Sequence, residues 1–232
     1  NLDLFSYCRI GIYKVRNRAD EFYDFYRRKL LYPDAKPNKA HKALVRLEKR
    51  GRLSAIITQN IDKLHQDAGS KKTIELHGSV FRNHCMDCGK KFSLEYIVAT
   101  EGIPHCDRCG GIVRPDITLY EENLEHDRVD AAIKSLKKCD LLIIGGTSLT
   151  VYPAATFSQF VKHDKVVIIN KSSTYLDLSA KLTIHDSIGA VLDAAIPRRR
   201  TAEQIKKDDK LIAKNIAREQ RALIRAKAKE KN

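Results

Sequence analysis

Four cysteines carry the most legible chemistry in the chain. Cys85-Met86-Asp87-Cys88 and Cys106-Asp107-Arg108-Cys109 are two C-x-x-C pairs separated by 17 residues. Two residues between sulfurs let both reach one tetrahedral ion at about 2.3 Å, and two such pairs close the coordination shell with thiolates. No position remains for a reactive water, so the spacing predicts a structural zinc site. Gly89 and Gly110 follow the pairs and suit the tight turns of zinc knuckles. His84 and His105 stand just before them as alternative ligands that a four-sulfur set does not need. Two disulfides, or free thiols, are the other reading of the same four residues. Cys8 and Cys139 are isolated and read as small buried side chains.

A second group of polar residues follows apolar runs. Gln59-Asn60-Ile61-Asp62 follows the run at 53–58, Gly145-Gly146-Thr147-Ser148 follows 140–144, and Asn170-Lys171 follows 165–169. Glycines let backbone approach a ligand closely, and hydroxyls near a helix N-terminus suit an anion. Each stretch alone is also ordinary loop and cap chemistry; three on consecutive strand ends point to a shared ligand crevice. The chain contains no G-x-G-x-x-G motif. His77, in His77-Gly78 after Ile74-Glu75-Leu76, is the residue type best suited to a general base near neutral pH, although a lone His is more often structural.

The elements that must position these groups read as α/β. The three apolar runs do not alternate with polar residues, which is the pattern of parallel strands buried on both faces. Helical spacing appears at residues 17–31, 40–49, 128–137, 153–161 and 186–195, with Gly51 ending the second helix. Strands alternating with helices predict a Rossmann-like, doubly wound parallel sheet. The stretch 81–116 interrupts the pattern and reads as an inserted zinc-ribbon module. The expected division is 1–36 as part of a small helical module, 37–80 with 117–196 as the Rossmann-like domain, 81–116 as the zinc ribbon, and 197–232 as a basic helical tail.

Together these motifs resemble the sirtuin family. The resemblance rests on Thr58-Gln59-Asn60-Ile61-Asp62 with Leu64-His65, Glu75-Leu76-His77-Gly78, and the zinc knuckles. Arg114-Pro115-Asp116, Gly145-Gly146-Thr147-Ser148-Leu149, Val151-Tyr152-Pro153-Ala154 and Ile169-Asn170 complete it, over about residues 17–196. It implies an NAD-dependent protein-lysine deacetylase or deacylase that transfers the acyl group to ADP-ribose and releases nicotinamide. His77 would be the general base. Asn60 and Asp62 would line the nicotinamide pocket, with Gln59 near the ribose and Ile61 also among the cofactor-binding residues. Gly145, Thr147, Ser148, Asn170 and Lys171 would lie on its phosphate and adenine-ribose side, with Ile188 near adenine. Residues 117–120 and 149–152 would flank an acyl-lysine peptide that adds as a strand. The family's opening strand and its Gly-Ala-Gly-x-Ser loop have no match in this sequence, so the expected sheet is incomplete at its N-terminus. Lys63 stands where many family members have Gly. The alternative reading is a catalytically inactive, truncated sirtuin-like fragment that acts as a zinc-containing binding module.

Composition sets the outer bounds. The 232 residues are 43% apolar and 31% charged, which suits one or two globular domains. No run of 18 apolar residues and no leader-like segment occurs, so a cytoplasmic chain without membrane contact is expected. The net charge is +14, and from Pro197 onward 13 Lys/Arg face only 5 Asp/Glu. That tail reads as a solvated helix, or as weak electrostatic contact with nucleic acid or acidic partners. It carries no aromatic residue to stack on bases.

Overall fold

The computed structural model of the protein describes residues 11–150 and 154–198. Cys8, the tripeptide Val151, Tyr152 and Pro153, and the basic tail beyond Arg198 lie outside the described residues.

The chain enters through two short helices, α1 (Ile12–Asn17) and α2 (Ala19–Phe25), the second running into a π-helical turn, Tyr26–Leu30. Phe22, Tyr23 and Tyr26 pack as an aromatic cluster, with Phe22 and Tyr23 edge to face at 5.0 Å. Helix α3 (Lys39–Lys49) begins at a reciprocal cap: Asn38 Oδ1 accepts from the Ala40 and His41 amides, and His41 Nδ1 accepts from the Asn38 amide. Gly51, at φ +68°, ends it.

Strand β1 (Ile56–Thr58) leads through the one-turn helix α4 (Leu64–Asp67) to β2 (Thr73–Glu75), which pairs with it in parallel. The chain then crosses at His77-Gly78 into β3 (Gly78–Cys85), the central strand of an antiparallel sheet with β4 (Lys91–Phe92) and β5 (Val113–Ile117). Helix α5 (Leu94–Ala99) packs beside this sheet. Val80, Leu94, Ile97, Val113 and Ile117 share one core with the entry aromatics, so the ribbon and the first helices are a single packed module. The Tyr23 hydroxyl, donating to the Val113 carbonyl, ties them further.

After α6 (His126–Lys138), β6 (Leu142–Gly145), β7 (Val166–Ile169) and β8 (Leu182–Ile184) form a parallel sheet, and α7 (Ile188–Ala195) closes it. Period-two alternation sends successive side chains to opposite faces, and both faces are covered. Val166 and Ile168 pack with Leu76, Ala132, Leu136, Phe157 and Val161, under α6 and a 3-10 helix at Ala154–Phe160. Ile169 packs on the other side with Ala43 of α3 and Leu192 of α7. This two-sided burial is why the runs showed no polar alternation.

Several expectations shift. The segment expected as a helix over 153–161 is 3-10 rather than α where described. The ribbon's first strand starts at Gly78, not residue 81. β2 and β8 were not anticipated as strands: at three residues each, neither carries a pattern of its own. Among the described residues the parallel strands form two sheets, β1-β2 and β6-β7-β8, rather than one.

Truncating Ile168, which is fully buried in β7, to Ala should cost about 2–5 kcal/mol in urea denaturation. The same change at fully exposed Leu178 should stay within about 0.5 kcal/mol.

Candidate active site and metal centre

His77 is fixed from four directions. The Leu76 amide donates to the Thr58 carbonyl (2.9 Å), the Thr118 amide to the His77 carbonyl (3.0 Å), and the Val80 amide to the Ile61 carbonyl (3.2 Å). The imidazole itself meets the Gln59 carbonyl through Nδ1 at 2.9 Å. A carbonyl can only accept, so Nδ1 carries the proton and Nε2 keeps its lone pair. Burial lowers the His77 pKa from its usual value, and the Gln59 contact offsets that only in part. The ring is therefore neutral at pH 7, in the tautomer a general base needs.

The loop facing it follows β1. Thr58 Oγ1 accepts from the Asn60 amide (3.0 Å), and Asp62 Oδ1 accepts from the Leu64 amide (3.0 Å), opening α4. Lys63 has φ +59°, the left-handed conformation that glycine adopts without cost. His65 of α4 lies against His41 of α3, ring centroids 4.6 Å apart and the planes tilted by 57°. Burial holds both below the usual His value, His65 at about 4.

The remaining predicted residues sit at the carboxyl ends of β6 and β7. Gly145 has no room for a side chain: a Cβ there would lie 2.1 Å from Ile188 Cδ1, so these two predicted residues are in contact. Gly146 turns at φ +65° and donates to the Ile169 carbonyl. Thr147 Oγ1 accepts from the Leu149 amide, and the Ser148 and Thr150 hydroxyls are 2.7 Å apart. The Asn170 amide donates to Ile184, and its side chain to the Ser172 carbonyl. Lys171 is exposed beyond them.

Sequence reasoning missed how the segment after β5 is held. Nearly buried Arg114 binds Glu122 through two nitrogens (2.5 and 2.8 Å) and the Ile117 carbonyl through one. Glu122 in turn accepts from the Leu119 amide. Burial raises the Glu122 pKa, but these donors outweigh it and hold the carboxyl below its usual value. Residues 118–122 are thus clamped into an edge, at which Gly11 pairs beside Tyr120. Arg114 belonged to a recognised motif; nothing in the sequence marked Glu122 as its partner.

The four cysteine sulfurs lie within 4.8 Å of one another. Cys85 to Cys109 is 3.4 Å and Cys88 to Cys106 is 3.6 Å, near the roughly 3.8 Å edge of a tetrahedron with zinc–sulfur bonds of about 2.3 Å. The knuckles match: the Gly89 amide donates to the Cys85 carbonyl and the Gly110 amide to the Cys106 carbonyl, both glycines having positive φ. None of the four is in a disulfide, and the short contacts run between knuckles, not within them. The donor set fits one structural zinc ion. His84 and His105 are outside the cluster, His105 bonding the Gly110 carbonyl instead.

Fold and site together combine a Rossmann-like sheet and a zinc ribbon with a half-buried His where the chain crosses from one sheet to the other. Residues 9–153 match the Sir2 family. A protein named NAD-dependent protein deacetylase from Clostridium acetobutylicum is 53% identical over 182 residues, covering 78% of this chain and 74% of that protein. One of the same name from Staphylococcus aureus is 40% identical, covering 77% and 73%. A solved structure described as Sir2 with a p53 peptide and NAD+ superimposes with a TM-score of 0.75 at 37% identity, covering 80% of each chain. Another, Sir2 bound to acetylated peptide, gives 0.75 at 36% identity. The chain belongs to the Sir2 family.

The metal site predicts one zinc per chain by elemental analysis, and loss of folding stability on chelation or on Cys106→Ser. The histidine pair predicts a pH effect. A His whose pKa is lower folded than unfolded stabilises above its unfolded value, about 6.5, and loses that stabilisation as pH falls through the folded value. Denaturant midpoints should therefore drop between pH 7 and 5, and less so in a His41→Gln variant.

Proposed function

We propose that the chain is an NAD-dependent protein-lysine deacylase acting on acetyl-lysine peptides. The observation that carries this reading is His77: neutral, protonated at Nδ1 by its contact with Gln59, and placed where the Gln59–Asp62 loop meets the strand crossing. The names of the relatives and the NAD and acetyl-peptide complexes among the similar structures support it.

In this reading NAD, when bound, supplies the ribosyl carbon that receives the acyl oxygen and the nicotinamide that leaves. This chain's residues do the rest. His77 Nε2 takes a proton from a hydroxyl presented to it. Asn60 and Asp62 offer polar partners to a carboxamide, with Gln59 and Ile61 forming the adjoining wall. Gly145 and Gly146 bring backbone close to a ligand, Thr147, Ser148 and Lys171 offer polar groups there, and Asn170 stands at the next strand end. Ile188, packed on Gly145, supplies an apolar surface. The peptide adds its main chain between residues 117–120 and 149–152. The zinc ion, with no open position, serves the ribbon's fold.

The test is nicotinamide release from NAD by the purified chain, with and without an acetyl-lysine peptide. Peptide-dependent release should fall by about 10²–10⁴-fold in His77→Ala. A folded, zinc-loaded chain that releases none would overturn the catalytic reading and leave a zinc-containing binding module.

A further inference from the structure

The strand after His77 is irregular, and the irregularity has a use. In the β3–β5 pairing Ser79 faces Asp116 and Asn83 faces Pro115, so residues 80–82 are extra on β3. A bulge of this kind re-aims the side chains within it. Val80 turns into the core and gives its amide to the Ile61 carbonyl. Arg82 is turned back along the sheet. Its Nε meets Asp116 Oδ2 at 2.9 Å and its Nη1 meets Glu75 Oε2 at 2.8 Å.

The two carboxylates belong to different modules. Glu75 ends β2 of the parallel pair, two residues before His77, and is almost fully buried. Its second oxygen accepts from Gln66 Nε2 at 2.8 Å, in α4 next to the Asp62 loop. Asp116 lies on β5 of the ribbon sheet and also meets Arg128 of α6 at 3.3 Å, which in turn meets Glu125 at 2.9 Å. Gly78 sits at the centre, where a Cβ would fall 2.0 Å from the Asp116 carbonyl oxygen and 3.0 Å from Arg128 Nη1. The guanidinium is suited to this place because its fork binds two acceptors at fixed angles, as a lysine ammonium cannot. Arg82 is half exposed, so each ion pair alone is worth little. Their common geometry matters more than their energy.

We propose that Arg82 is a positioning residue for His77: by joining Glu75 to Asp116 across the module boundary, it holds the His77 main chain against the Gln59–Asp62 loop and so keeps the imidazole proton on Nδ1. This deepens the deacylase reading, and its kinetic part rests on that reading; its structural part does not.

The experiment compares the full, zinc-loaded chain with Arg82→Met and Arg82→Lys, following the His77 ring nitrogens by NMR, assigned by their loss in His77→Ala. In Arg82→Met the Nδ1-protonated population should fall and its proton should exchange faster, and kcat should drop about tenfold with KM for NAD little changed. Arg82→Lys, which keeps the charge but loses the fork, should recover only part of both. Raising salt to about 0.5 M should move the parent toward the Met variant and leave that variant unmoved. If Arg82→Met does not fold, Asp116→Asn removes one charge, preserves the shape, and should shift the His77 signals in the same direction. Unchanged ring signals in a folded, zinc-loaded variant would overturn the proposal. A parent without peptide-dependent nicotinamide release would count against the deacylase reading alone, since the ring signals need no turnover.

Discussion

One continuous stretch of chain serves two sheets. Residues 73–75 pair in parallel with β1, and three residues later the same backbone is the middle strand of the antiparallel ribbon. The change of partner happens at His77-Gly78, where the Asp116 carbonyl comes so close that only glycine fits. Everything chemical in the site depends on that crossing. It places His77 with the preceding amide tied to β1 and its own carbonyl tied to the segment after β5, while the ring is held by its contact with the Gln59 carbonyl.

The crossing is held by what surrounds it. On one side the doubly covered sheet supplies a dry, rigid base, with Leu76 itself fully buried in its core. On the other, the cysteine cluster fixes the far end of β3, since Cys85 is both the last strand residue and the first sulfur. A short ribbon of this kind has little apolar area, and a metal supplies the stability its core lacks. The cysteine cluster and His77 thus stand at opposite ends of one eight-residue strand.

What could be read in advance was what is local in the chain. The cysteine spacing, the glycines after each knuckle, and the unbroken apolar runs of β6 and β7 each carry their meaning within a few residues. The four sulfurs came together as their spacing implied. What stayed hidden depends on partners far apart in sequence. The tautomer of His77 is set by a carbonyl 18 residues earlier. Arg82 finds Asp116 34 residues away, through a bulge that no periodicity announces. The strands β2 and β8 are defined by the neighbours they pair with, and three residues hold too little pattern to declare it.

Three residues that are not glycine hold left-handed backbone among the described residues: Lys63, Glu121 and Leu149. Each lies beside a predicted functional stretch, and each costs on the order of 1 kcal/mol relative to a relaxed conformation. For protein engineering this reverses the usual rule that glycine weakens a fold. Glycine at 63 or 121 would relieve strain in the native state while granting the unfolded chain more freedom, and the two effects oppose each other. Leu149 differs, because its side chain is buried and glycine would leave a hole in the core. The rim of the cleft thus contains two positions open to exchange and one that is locked, a distinction that burial alone decides.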